Sequence, residues 1–175
     1  GFPGESEEEF NDLYDFVKMC NEILVDKPLF VLINSYTTGL GETVAENILR
    51  LCLKRCNVCI CTNGSFLNEK KIRFLKKVED EGNNQIFFKL SLAHYDEIES
   101  DKVKYRGHFR QIIFALKTLS RYNFNAVLSF ENHYKLDKKL ITEMLNAIFK
   151  ENEIFTTDIQ ITNSHPDFDE NDYCK

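Results

Sequence analysis

The sequence predicts an α/β fold, an open partial (β/α) barrel with about five parallel strands. Apolar runs of strand length alternate with segments of helical periodicity, and the repeat is about 30 residues long, as in βα units. The predicted strands are continuously apolar, which is typical of parallel strands that are buried on both faces. A polar segment follows each predicted strand, as expected where the loops of a βα fold gather at one edge.

The predicted strands span residues 29–33, 58–61, 86–92, 124–130 and 154–161. A capping box at Ser6 and Glu9 starts a first helix, and Pro28 ends it. Apolar residues at helical spacing predict four more helices, over residues 44–52, 72–78, 109–119 and 140–148. Gly82 is the expected C′ residue of the third helix, and Asp137 is the expected cap of the last one.

Length and composition predict one domain over residues 1–175, with a polar tail at 163–175. The net charge of −6 makes nucleic acid an unlikely partner, because phosphate binding needs concentrated lysine and arginine. No apolar run is long enough to span a bilayer, which argues against a membrane protein. Four of the six cysteines fall between Cys52 and Cys61, unlike a secreted disulfide framework, so a reducing, cytoplasmic location is expected.

Parallel sheets bind ligands at the carboxyl ends of their strands. The polar residues that follow the predicted strands are therefore the candidate binding residues: Thr38, Glu42, Asn63, Ser91 and Arg106. Arg106 and Ser91 suit a carboxylate, and Glu42 suits an ammonium group, so a zwitterionic small molecule is the expected ligand. Glu42 is expected in the polar loop over residues 34–42.

Each of these residues also has a purely structural interpretation. Asn63 precedes Gly64, and an Asn-Gly pair is above all a turn. Ser91 lies at a strand end, where serine often only turns the chain. Arg106 has nearby acidic residues with which it would form a salt bridge: Asp96, Glu97, Glu99 and Asp101.

The cysteines Cys52, Cys56 and Cys59 formally match the pattern CxxxCxxC. Their setting argues against a metal site, because the first two lie at a predicted helix end and the third lies within a predicted strand, whereas a cluster loop should follow a strand. Buried thiols in a phenylalanine-rich core are the favoured interpretation. A zinc site at Cys56 and Cys59 is weaker still, because no second ligand pair follows at suitable spacing.

Three stretches together resemble the radical S-adenosylmethionine (radical SAM) superfamily. The first, VCICTNGS at residues 58–65, is similar to the strand of that family that ends in a TNG turn. The second joins FKLSL at residues 88–92 to Tyr105-Arg106-Gly107 and the following helix, and the third is the strand region 125–132.

This resemblance implies a partial βα-barrel core that binds SAM and a [4Fe–4S] cluster, in which the reduced cluster cleaves SAM to a 5′-deoxyadenosyl radical. The CxxxCxxC loop of the family is expected upstream of Gly1, so this chain alone is expected to lack the cluster and to be inactive. A missing N-terminal segment or a protein partner would then complete the site. The sequence does not indicate the substrate.

Two alternatives differ in class. A non-catalytic, degenerate barrel would act as a binding or scaffold module. A flavodoxin-like domain would use residues 37–43, with the sequence TTGLGET, as a loop that cradles the phosphate of a nucleotide or flavin. A doubly wound sheet with helices on both faces would favour that second alternative.

Overall fold

A computed structural model of the chain describes Asp15, Met19 and residues 40–162, and Asp15 and Met19 are helical. The described residues contain one four-stranded sheet in which every neighbouring pair is parallel. The strands are β1 (Val58–Cys61), β2 (Ile86–Leu92), β3 (Asn125–Glu131) and β4 (Thr157–Thr162), and their order in the sheet is β1-β2-β3-β4. The predicted parallel sheet in sequence order is therefore confirmed for these strands.

Five helices connect or precede these strands in the described part of the chain. They are α1 (Leu40–Leu53), α2 (Glu69–Asp80), α3 (Glu97–Val103), α4 (His108–Arg121) and α5 (Lys138–Glu151). The predicted strand at 29–33 and the helix that starts near Ser6 lie outside the described residues, apart from the helical Asp15 and Met19. Among the described residues, no helix combines the length and the apolar character needed to cross a membrane.

Polar side chains start three of these helices by capping free backbone amides. The side chains of Asn68, Asp96 and Asp137 accept hydrogen bonds from backbone N–H groups three residues later, at 3.0–3.1 Å. The predicted cap at Asp137 is thus confirmed. Asp96 starts α3, a helix that lies within a segment predicted to be a loop.

Most apolar residues of the sheet lie on one face, and Phe87 and Val127 are half-buried on the other. Burial alternates along β1 and along β2, so that Val58, Ile60 and Phe88 are almost completely buried while Cys59 and Lys89 are half-buried. Apolar side chains of α1, α2, α4 and α5 join the buried strand residues in one core cluster. The prediction that both faces are buried is therefore wrong, because helices cover one face and the opposite face carries polar residues.

Gly82 follows the end of α2 as predicted. A glycine is required there because a larger side chain would collide with Leu53. A Cβ atom on Gly82 would lie 2.9 Å from the Cβ of Leu53, at the end of α1. The backbone N–H of Asn83 and the side-chain amide of Asn84 both donate to the carbonyl oxygen of Leu53 at 3.0 Å. These contacts join the ends of α1 and α2 immediately before β2 begins.

Replacing Gly82 with Ala should lower the free energy of unfolding by about 1–3 kcal/mol, because the added methyl group overpacks this junction. Urea unfolding followed by far-UV circular dichroism measures the change. Lys70→Ala, at an exposed position of α2, is the control and should change stability by less than about 0.5 kcal/mol. Equal midpoints for Gly82→Ala and the wild type would contradict the close packing.

Candidate ligand site at the carboxyl edge of the sheet

The face of the sheet opposite the described helices carries polar residues in matched rows, among which Ser129 is 9% exposed. Cα partners in neighbouring parallel strands place their side chains on the same face. One row pairs Cys61 with Lys89. A second row, nearer the carboxyl edge, pairs Ser91 with Ser129 and Ser129 with Gln160. We call this surface the open face, defined by Cys59, Cys61, Phe87, Lys89, Ser91, Val127, Ser129, Glu131, Asp158 and Gln160.

The structure distributes the five predicted site residues unevenly. Thr38 lies outside the described residues, whereas Ser91 lies on the open face. Glu42 was predicted in a loop, but the backbone of α1 is helical from Leu40 onward, so this part of the prediction is wrong. The helix is favoured because Leu49 and Leu53, farther along α1, pack into the core.

The turn that follows β1 is held by its own side chains. The hydroxyl oxygen of Thr62 accepts the N–H of Gly64 at 3.1 Å, and the side-chain oxygen of Asn63 accepts the N–H of Ser65 at 3.0 Å. Gly64 adopts φ +81°, and a Cβ there would lie 3.0 Å from the Cβ of Ala115 on α4. The TNG sequence therefore has a structural cause in this chain: it makes a tight turn pressed against a helix.

Gln111 joins that turn to the loop that contains Arg106. Its side-chain amide donates to the carbonyl oxygen of Asn63 at 2.8 Å and to the hydroxyl of Tyr105 at 2.7 Å. Asn63 and the Tyr105-Arg106-Gly107 loop thus meet at the carboxyl edge of the sheet, where α4 begins. No hydrogen bond or ion pair in the described residues directly links Asn63, Ser91 and Arg106.

Arg106 is exposed, and the salt bridges proposed as its structural role are not formed within residues 40–162. Glu97 pairs with Arg110 at 2.7 Å, and Glu99 pairs with Lys102 at 2.6 Å. Asp96 caps α3. The fourth candidate, Asp101, binds backbone N–H groups instead.

Asp101 fixes the backbone on both sides of His108. Its carboxylate accepts the N–H of Gly107 at 2.5 Å and the N–H of Phe109 at 3.0 Å. These hydrogen bonds, with that of Phe109 the stronger influence, lower the pKa of Asp101 below its ordinary value. The loop is therefore ordered by a carboxylate that does not pair with the guanidinium of Arg106, which stays available for a ligand anion.

Glu131 forms a charged cluster at the end of β3 that the sequence alone did not indicate. Lys104 contacts its carboxylate at 2.7 Å, and the Nε2 atom of His133 lies 3.1 Å from the same oxygen. Burial raises the pKa of Glu131, but the hydrogen bonds from Lys104 and His133 outweigh it and leave the pKa below its usual range. Glu131 is therefore a half-buried carboxylate that remains charged.

His108, the first residue of α4, lies beside this cluster and is 2% exposed. Burial, followed by the positive charge of Lys104, lowers its pKa, so the imidazole is neutral at pH 7. Within the described residues its Nδ1 atom has no hydrogen-bond partner. The ring of Tyr105 packs edge to face against it, with ring centroids 5.0 Å apart.

The four clustered cysteines divide between the two sides of the sheet. Cys52 is 0% exposed in the core, whereas Cys59 and Cys61 are half-buried on the open face, and Cys56 is half-buried at the end of α1. The interpretation as buried core thiols is therefore confirmed for Cys52, whereas Cys59 and Cys61 are half-buried outside the core. Residues 40–162 contain no group of three or more side chains arranged to hold a metal ion. The formal CxxxCxxC pattern does not fit a [4Fe–4S] cluster, because Cys52 and Cys59 are on opposite sides of the sheet.

Compared with known proteins, the chain matches no family model and no curated protein. The resemblance to the radical SAM superfamily therefore depends on the sequence motifs alone.

Changing Asp101 to Asn should lower thermal stability at pH 7 and flatten its dependence on pH in the acid range. The folded protein binds the Asp101 proton more weakly than the unfolded chain does, so stability rises with pH there. This contribution is complete above the ordinary pKa of about 3.9 and is lost as the pH falls through the lower pKa of the folded state.

Thermal unfolding of both proteins, followed by circular dichroism between about pH 2 and pH 7, measures this difference. Asp80→Asn removes the same charge from an exposed helix position and is the control. If Asp80→Asn and Asp101→Asn shift the curve equally, the backbone hydrogen bonds of Asp101 have no special effect.

Proposed function

We propose that this chain is the ligand-orienting part of a radical SAM-type partial barrel and that it binds S-adenosylmethionine across the open face. One observation carries the proposal: Arg106, exposed and with no ion pair among the described residues, belongs to the loop at the carboxyl edge that the polar row of Ser91, Ser129 and Gln160 approaches. A sheet in sequence order with helices on one face is the geometry expected of a barrel segment.

The chemistry of the ligand agrees with the chemistry of these groups. S-adenosylmethionine has a carboxylate, an ammonium group, a sulfonium cation and ribose hydroxyls. Arginine binds a carboxylate with two parallel hydrogen bonds, and serine and glutamine side chains bind hydroxyl groups. Asp158 adds an exposed carboxylate on the open face, next to Val127 in register, and so favours a ligand that carries positive charge.

The described residues do not fit an iron–sulfur cluster, so the role proposed for this chain is to bind and orient the ligand. Thiolates for a cluster would have to come from outside residues 40–162. Anaerobic reconstitution with iron and sulfide, followed by visible absorption, separates an enzyme from the alternative, a degenerate barrel that acts as a binding or scaffold module. Cluster absorption would favour the enzyme.

The flavodoxin-like alternative has less support. In a flavodoxin-like sheet the first strand lies between the second and the third. Here β1, the second strand predicted from the sequence, pairs directly with β2, the third. The loop proposed to bind phosphate begins outside the described residues and continues into the first turn of α1.

Isothermal titration of S-adenosylmethionine into the full chain tests the proposed function. Binding should be weak, since cluster coordination of the ligand would be absent. Arg106→Ala should weaken it by about 10–100-fold, because a hydrogen-bonded charge pair contributes roughly 1.5–3 kcal/mol.

Arg110→Ala is the matched control, because Arg110 is exposed four residues away and pairs with Glu97. It should leave the affinity unchanged. Equal affinities for Arg106→Ala and the wild type would remove Arg106 from the site. No binding to the wild type, with a circular dichroism spectrum that shows a folded chain, would exclude the proposed ligand.

A further inference from the structure

Two thiols and an ammonium group lie together on the open face, at the end of β1. Cys59 and Cys61 are two residues apart on the strand, so both side chains point to the same face. Lys89 is the Cα partner of Cys61 in β2 and shares that face. All three residues are half-buried, so reagents in solvent have partial access to them.

We infer that Cys61 is a nucleophilic thiolate and a site of covalent modification by soft electrophiles, a function separate from ligand binding. The thiolate, not the thiol, is the reactive form of cysteine, and nearby positive charge and hydrogen-bond donors stabilise it. Cys61 has both kinds of neighbour: the thiol of Cys59 lies on the same face of β1, and Lys89, its Cα partner in β2, supplies the positive charge.

Because of these neighbours, the pKa of Cys61 differs from the pKa values of the other cysteines of residues 52–61. The hydrogen bond from Cys59, followed by the effect of Lys89, lowers the pKa of Cys61 to about 7 against the opposing effect of burial. The same hydrogen bond raises the pKa of Cys59. Burial raises the pKa of Cys52 to about 12. Cys56 is engaged at the end of α1, where its sulfur lies 3.5 Å from the carbonyl oxygen of Cys52.

The reaction with a small disulfide illustrates the chemistry. The thiolate of Cys61 attacks one sulfur of the disulfide, a new S–S bond forms, the old one breaks, and the other half leaves as a thiolate. No further oxidant is consumed. With an alkylating agent such as iodoacetamide, an S–C bond forms and iodide leaves.

Strand geometry prevents Cys59 from closing a disulfide with Cys61. Side chains two residues apart on a strand are separated by about 6.6 Å, whereas a disulfide needs Cβ atoms about 3.8 Å apart. The mixed disulfide at Cys61 is therefore the end product rather than an intermediate. Cys59 therefore does not act as a resolving thiol for Cys61.

Iodoacetamide labelling of the full chain, followed by proteolysis and mass spectrometry, tests the inference. At about pH 7, the peptide with a carbamidomethyl group on Cys61 should form at least about 10-fold faster than those labelled at Cys52 or Cys59. The rate should be half-maximal near the pKa of about 7. Oxidised glutathione should give a mixed disulfide at Cys61 and no bridge to Cys59.

Substitutions of Lys89 separate the electrostatic effect from simple exposure. Lys89→Met should slow labelling of Cys61 several-fold below pH 7, whereas Lys89→Arg should retain the wild-type rate because it keeps the charge. Lys150→Met, at an exposed position of α5, is the control and should have no effect.

Two results would overturn the inference. One is labelling of Cys56 or Cys59 as fast as labelling of Cys61 in the folded chain. The other is identical pH profiles for the wild type and Lys89→Met. The assay contains no S-adenosylmethionine, so failure to bind that ligand would leave its result unaffected.

Discussion

Four parallel strands bury alternate side chains against one layer of helices, and this one-sided burial determines where every other element lies. At the centre of the layer, the rings of Phe88 and Phe124 pack edge to face with centroids 5.2 Å apart. Gly64 and Gly82 let the β1 turn approach α4 and let α1 approach α2. Because most apolar residues of the strands face the helices, most polar residues of the same strands lie together on the other face, beside Phe87 and Val127.

The sequence predicts the strands and the long helices well where local signals agree. The bounds predicted for β1 and β2 match those observed, because turn residues border short apolar segments there. The short helix α3 was missed because Ser100 is its only buried residue, so it has no apolar periodicity. Its one local signal is the capping pair of Asp96 and Glu99, three residues apart.

The site is harder to predict, because its members depend on register and topology. Asn63 and Arg106 could be predicted as site residues, because ligands bind where parallel strands end. Ser129 could not be predicted in this way, since it lies within β3 and reaches the site by pairing with Ser91. Glu131 does end a strand, but its contact with Lys104 depends on the topology. The alternation of Lys89 and Ser91 with apolar residues in β2 was the available signal that one face of the sheet is polar.

The open face is also ordered before any ligand binds. Charges that are partly withdrawn from water are costly unless they are paired, and the charged groups here have partners. Glu131 is held by Lys104 and His133, and Lys89 lies beside Cys61. A ligand that contacts Glu131 therefore meets a carboxylate whose orientation is already fixed, so that this contact loses less side-chain entropy than one to a free surface residue would. The packing of alternate β1 residues into the core also fixes the position of Cys61, because it leaves Cys61 on the open face beside Lys89. The expected reactivity of Cys61 therefore depends on the packing of the opposite face of the sheet.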